Sequence, residues 1–122
     1  MTIKLEEKSI ELGGKKYVLH VNMSVLDRLQ ETCGGEINLL MQKSLNDGMV
    51  DIMAAMLNDW CEDQGWEQDW TPRKVKKYFT VAMLRELDVL GMFVRGMTPP
   101  GAVNAKAEAA KTKNMEPEKS GN

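Results

Sequence analysis

Between Ser9 and Val21 apolar and polar residues alternate around a Gly13-Gly14 pair, and this stretch restricts the fold more than any other. Ile10 and Leu12 share one strand face, and Tyr17, Leu19 and Val21 share one face of a returning strand. Glycines that supply positive φ join the two into a hairpin. A loop running from Gly13 to Lys16 would set Ile10 opposite Leu19 and Leu12 opposite Tyr17, burying one common face. Ile3 and Leu5 would extend the first strand, although Glu6-Glu7-Lys8 breaks the alternation. A lone hairpin is marginal in water, so this one requires helices over its apolar face.

The following residues supply them. Asn22 or Ser24 caps a helix whose stripe is Val25, Leu26, Leu29 and Cys33, stopping at Gly34-Gly35. A short second helix is expected through Ile37, Leu40 and Met41, ending near Asn46 to Gly48. A third runs from Met49 to Cys61 with Met49, Met53, Met56, Leu57 and Trp60 on a wide apolar face. Thr71-Pro72 reads as N-cap and first helical residue. From there Val75, Phe79, Met83, Leu87, Leu90 and Val94 repeat at helical spacing to Arg95, with a break near Thr80. The expected class is α+β, mainly α: an N-terminal β-hairpin packed on a bundle of four to five helices, the last of them the longest.

At 122 residues one domain is expected, spanning 1–97. Residues 98–122 turn to Pro, Gly, Ala, Lys, Glu and Asn, with only Val103 and Met115 of appreciable apolar size. Ordering about 25 such residues costs roughly 25–50 kcal/mol, and burying two apolar side chains returns only about 3–6. That tail is expected to be disordered. No apolar run reaches the roughly 20 residues a membrane span needs. Met1 to Leu5 carry neither a basic nor an apolar leader region, so the cytoplasm is the expected compartment.

Chemistry is sparse. Cys33, Cys61 and the only histidine, His20, do not have the pairing of metal ligands, and both thiols read as buried and free. His20 follows Leu19 in the alternation, which places it on the outer face of the hairpin, away from a nucleophile. The carboxylates of Glu62, Asp63, Glu67 and Asp69 lack the glycine turn and alternating spacing of a cation loop. They read as a solvated acidic segment. Gly13-Gly14-Lys15-Lys16 is a turn rather than a phosphate cradle. A net charge of −2 removes general attraction to nucleic acid, and the cluster Arg73, Lys74, Lys76 and Lys77 balances the acidic segment before it, with Tyr78 and Phe79 at the buried spacing. No catalytic, cofactor-binding or metal-binding residue is therefore assigned.

Trp66 and Trp70 lie among charges, where aromatic side chains serve either as anchors for a partner or as closure of the core. Trp60 belongs to the helix stripe. Ten methionines are many for this length; most fall at core spacing, and Met92 and Met97 are the surface candidates for partner contact.

The stretch from Ile10 to Glu31 resembles tail assembly chaperones of long-tailed phages and prophages. The resemblance is carried by Gly14, Lys15, Tyr17 and Leu19 of a Gly-Lys-x-Tyr-x-Leu strand, followed by Met23, Leu26 and Leu29 with Glu31 displaced from its usual place. It implies a cytoplasmic, non-enzymatic chaperone that self-associates, binds the tape-measure protein and recruits tail-tube subunits. Nucleic acid and membrane are not expected partners. A structural tail or connector component, and a small regulator binding DNA through Arg73 to Lys77, are the alternatives.

Overall fold

Gly13 and Gly14 both adopt positive φ, 55° and 80°, so the hairpin closes with a two-residue turn. The computed structural model describes residues 5–35, 40 and 42–97. Strand β1 (Lys8–Leu12) pairs antiparallel with β2 (Lys15–Leu19), Ile10 facing Tyr17 and Lys8 facing Leu19. The expected four-residue loop is thus two residues too long. A shift of two preserves which face each side chain occupies, so the buried face survives the correction. Tyr17 and Leu19 are buried, and Ile10 and Leu12 pack against the core. Leu5 lies outside the strand and is exposed, and Ile3 is outside the described residues.

Helix α1 (Met23–Thr32) starts at Asn22, whose Oδ1 accepts from the Val25 N–H at 2.9 Å. Of the two capping candidates Asn22 is the one used, which frees Ser24. Val25, Leu29 and Cys33 turn inward. The expected short second helix falls largely outside the described residues; Leu40, which is described, is buried. Asn46 to Gly48 do not end a helix but begin one. Ser44 Oγ accepts from the Asp47 N–H at 3.2 Å, and this cap starts α2 (Leu45–Gln64) a full turn before Met49.

Helix α2 is about 30 Å long at 1.5 Å per residue and is the axis of the domain. Met49, Val50, Ile52, Met53, Ala54, Ala55, Met56, Leu57 and Cys61 are all buried, leaving little of its girth to solvent. It packs against β2, α1 and the three helices that follow. No helix among the described residues is long and apolar enough to cross a membrane.

The expected long helix from Thr71 to Arg95 is three short ones: α3 (Pro72–Tyr78), α4 (Val81–Glu86) and α5 (Val89–Gly96). Thr71 caps α3 as anticipated, accepting from the Lys74 N–H at 3.1 Å. Phe79 is extended and Thr80 caps α4, giving the break expected there. A second break, with no counterpart in the sequence pattern, falls at Asp88, which sits in the left-handed region at φ 57° and interrupts the helix before α5. Each break re-phases the apolar stripe. Val75, Phe79, Leu84, Val89, Met92 and Phe93 are buried, whereas Met83 and Val94 are exposed and Leu87 and Leu90 only partly covered.

The end of α5 rests on the β2–α1 connection. A Cβ on Gly96 would lie 2.6 Å from Val21 Cγ1 and 2.8 Å from Val21 Cβ. Gly96→Ala is therefore expected to destabilise the domain by about 1–3 kcal/mol through overpacking, which exceeds the roughly 1 kcal/mol that alanine gains in helix propensity. A urea titration measures the difference. Arg95 Nε and Nη2 also reach Glu6 at 2.8 and 2.9 Å, and Arg95 Nη2 lies 2.9 Å from Asp88. Exposed pairs of this kind contribute little to stability; the first ties the segment before β1 to α5, and the second spans the start and end of α5.

Candidate functional site

The β ladder ends at Leu19, so the alternation that would turn His20 outward no longer operates at that residue. His20 is 5% exposed and faces Asp59 of α2, itself 4% exposed. This overturns the outer-face placement of His20. The Asp59 carboxylate gathers four donors: Ser24 Oγ at 2.5 Å and Arg28 Nε at 3.5 Å on Oδ1, His20 Nε2 at 3.2 Å and Asn22 Nδ2 at 3.3 Å on Oδ2. Arg28 also pairs with Glu62.

Burial pushes the Asp59 carboxyl upward, but hydrogen bonds from Ser24, His20 and Asn22, with the Arg28 charge, outweigh it and hold the group below its ordinary value. An ionised carboxylate only accepts, so Nε2 is the nitrogen that carries the proton in this arrangement. Among the described residues His20 Nδ1 has no hydrogen-bond partner. Ser24 donates to Asp59, not to His20, so the imidazole does not activate the hydroxyl as a nucleophile–base pair would require. One helical turn beyond Asp59 is Asp63, exposed, and one donor atom from each of His20, Asp59 and Asp63 lies within 4.8 Å of the others. Glu62 and Asp63, expected in a solvated acidic segment beyond the end of the third helix at Cys61, belong to the last turn of α2.

The tryptophans divide. Trp70 is buried and closes the core: its ring meets Tyr17, Tyr78 and Phe79 at centroid distances of 6.2, 5.8 and 6.1 Å. Asn58 brackets its backbone, donating to the Trp70 carbonyl at 2.8 Å and accepting from its N–H at 3.0 Å. Trp66 is half-buried against Tyr17, with Lys15 Nζ 4.8 Å over its ring. Trp60 lies at the margin of the core and donates from Nε1 to the Lys16 carbonyl at 3.0 Å. Of the two, only Trp66 offers surface to a partner.

Met92, expected at the surface, is 1% exposed, because the Asp88 break rotates it inward. Met97 is 48% exposed. Met23, at the first position of α1, is 79% exposed, and Tyr78, expected in the buried stripe, is 60% exposed. The Arg95–Glu6 pair and the Gly96–Val21 contact bring the segments carrying Leu5, Met23 and Met97 to one end of the domain.

In the basic cluster, Lys74 pairs with Asp69 and Lys76 with Asp47, each at 3.1 Å, as a charge-balancing face would. Both cysteines are buried and free, as expected, and burial pushes the Cys61 thiol up. An open groove of about 340 Å³ crosses α2 between Arg28 and Thr32 on one side and Trp70 and Pro72 on the other, floored by Ala54 and Ala55. Compared with protein-family models, curated proteins and solved structures, the chain matches none.

Proposed function

We propose that the chain is a tail assembly chaperone of a long-tailed phage or prophage, a non-catalytic protein of the bacterial cytoplasm. It binds the tape-measure protein, helps bring in tail-tube subunits and departs before the tail is complete. The supporting observation is that three of the exposed apolar side chains, Met23 at 79%, Met97 at 48% and Leu5 at 44%, lie on segments joined by the Arg95–Glu6 pair and the Gly96–Val21 contact. Unbranched thioethers adapt to successive apolar surfaces along a helical client, and repeated weak contacts release readily. The Tyr17–Leu19 strand and the Met23–Leu26–Leu29 helix that carry the family resemblance include or adjoin those segments.

Co-expression with a tape-measure protein tests the reading. The two are expected to purify together and the chain to be missing from finished virions. A chain that never co-purifies, or one present in virions at the copy number of a structural part, contradicts it. Alone, the chain is expected to self-associate with rising concentration in sedimentation, and strictly monomeric behaviour would count against the exposed apolar end as a contact surface.

A further inference from the structure

The geometry points to a divalent-cation site in which the His20 imidazole, one oxygen of Asp59 and one of Asp63 hold a borderline first-row ion of the Zn²⁺ class. Three donors from two places in the fold converge there: His20 from the residue just after β2, Asp59 and Asp63 from successive turns of α2. His20 Nε2 and Asp59 Oδ2 are 3.2 Å apart. Two neighbouring ligands with bonds of about 2.1 Å to one ion are separated by roughly 3.0–3.4 Å, so this edge needs little rearrangement beyond a tautomer change that moves the ring proton from Nε2 to Nδ1 and frees the Nε2 lone pair.

The surroundings divide the Asp59 carboxylate between two tasks. Ser24 and Arg28 engage Oδ1, which fixes the plane of the group, while Oδ2 faces His20 and also accepts from Asn22. Outer hydrogen bonds that orient a ligating carboxylate are a regular part of metal sites. Arg28 is shared with Glu62, and Asp63 makes no ion pair among the described residues. One guanidinium thus faces the three carboxylates Asp59, Glu62 and Asp63, so net negative charge remains to balance a divalent ion, which would also relieve carboxylate repulsion. One imidazole with two carboxylates suits Zn²⁺ or its neighbours better than Mg²⁺, which takes oxygen ligands alone. Asp63 is exposed, so the site opens to solvent on that side and water completes the coordination. Bound there, the ion ties the end of the hairpin to the central helix. The site is independent of any reading of the partner.

Because His20 is the only histidine, its imidazole C–H resonances report on one place in the full chain. After removal of metal by a chelator, Zn²⁺ is expected to shift those resonances saturably, and Mg²⁺ at the same concentration to leave them in place. Near a hundredfold excess of Zn²⁺ over Kd the unfolding midpoint should rise by about 10 °C. Asp63→Asn should weaken Zn²⁺ binding about tenfold or more while leaving the metal-free midpoint unchanged, since Asp63 is exposed and outside the Ser24–Asn22–Arg28 network. Unmoved His20 resonances at millimolar Zn²⁺ overturn the proposal, and so does a shift that Asp63→Asn fails to weaken.

Discussion

Asp59→Ala is expected to lower folding stability by about 3–5 kcal/mol, the range for removing one partner of a buried charged network. Ser24 Oγ, Asn22 Nδ2 and His20 Nε2 lose their acceptor together, and they belong to the end of the hairpin and the start of α1, two segments held to α2 partly through this one carboxylate. For a domain of this size the unfolding midpoint should fall by roughly 15–30 °C, as read by circular dichroism. Asp59→Asn keeps the shape and loses the charge, so a smaller loss is expected.

The sign of the pH dependence follows from the depressed carboxyl. Its folded-state value lies below the ordinary 3.8, so its contribution is complete above that value and disappears as pH falls through the folded value. Wild type should lose stability on acidification below about pH 4 more steeply than Asp59→Asn. Equal acid sensitivity in the two proteins would show that the carboxylate is not held as described.

Trp70→Ala is expected to cost about 3–5 kcal/mol, and Trp66→Ala only about 1–2. Trp70 is buried among Tyr17, Tyr78 and Phe79, and its backbone is clasped by Asn58, so truncation opens a cavity where α3 meets α2. Trp66 keeps one side toward solvent and loses mainly an edge contact with Tyr17 and the Lys15 ammonium over its face. Urea titrations of the two variants, run beside a partner-binding assay, separate the roles. A Trp70→Ala protein that is fully stable yet fails to bind would return Trp70 to the partner surface.

What local chemistry dictates was legible in the residues. The glycine pair and flanking alternation identify the hairpin and its buried face, and Thr71-Pro72 identifies the start of α3. Loop length was not legible, because a register shift of two leaves the alternation intact. The start of α2 was: Ser44 stands three residues before Asp47, a capping signal outweighed in the reading by Asn46 and Gly48. The bend at Asp88 carries neither proline nor glycine at the bend itself, so the phase of α5 was lost, and with it the burial of Met92.

The polar network was the least legible part. His20 and Asp59 are 39 residues apart in sequence and meet only through packing of the hairpin on α2. Asp59 and Asp63 share a helix face by their spacing, which sequence does show. What faces them is decided by where β2 stops, and one residue more of ladder would have sent His20 to solvent. The exposed end formed by Leu5, Met23 and Met97 has the same character, since three distant segments are gathered by the Glu6–Arg95 and Val21–Gly96 contacts.

Recognition of a helical polypeptide through that apolar end is tested most directly by calorimetric titration of the chain into a soluble segment of a tape-measure protein, with Met23→Ser/Met97→Ser as the comparison. Wild type is expected to bind saturably with a negative heat-capacity change, the mark of apolar burial. The double variant is expected to bind about tenfold more weakly while unfolding at the same temperature. Absence of binding by wild type, or undiminished binding by an equally stable double variant, would contradict the account.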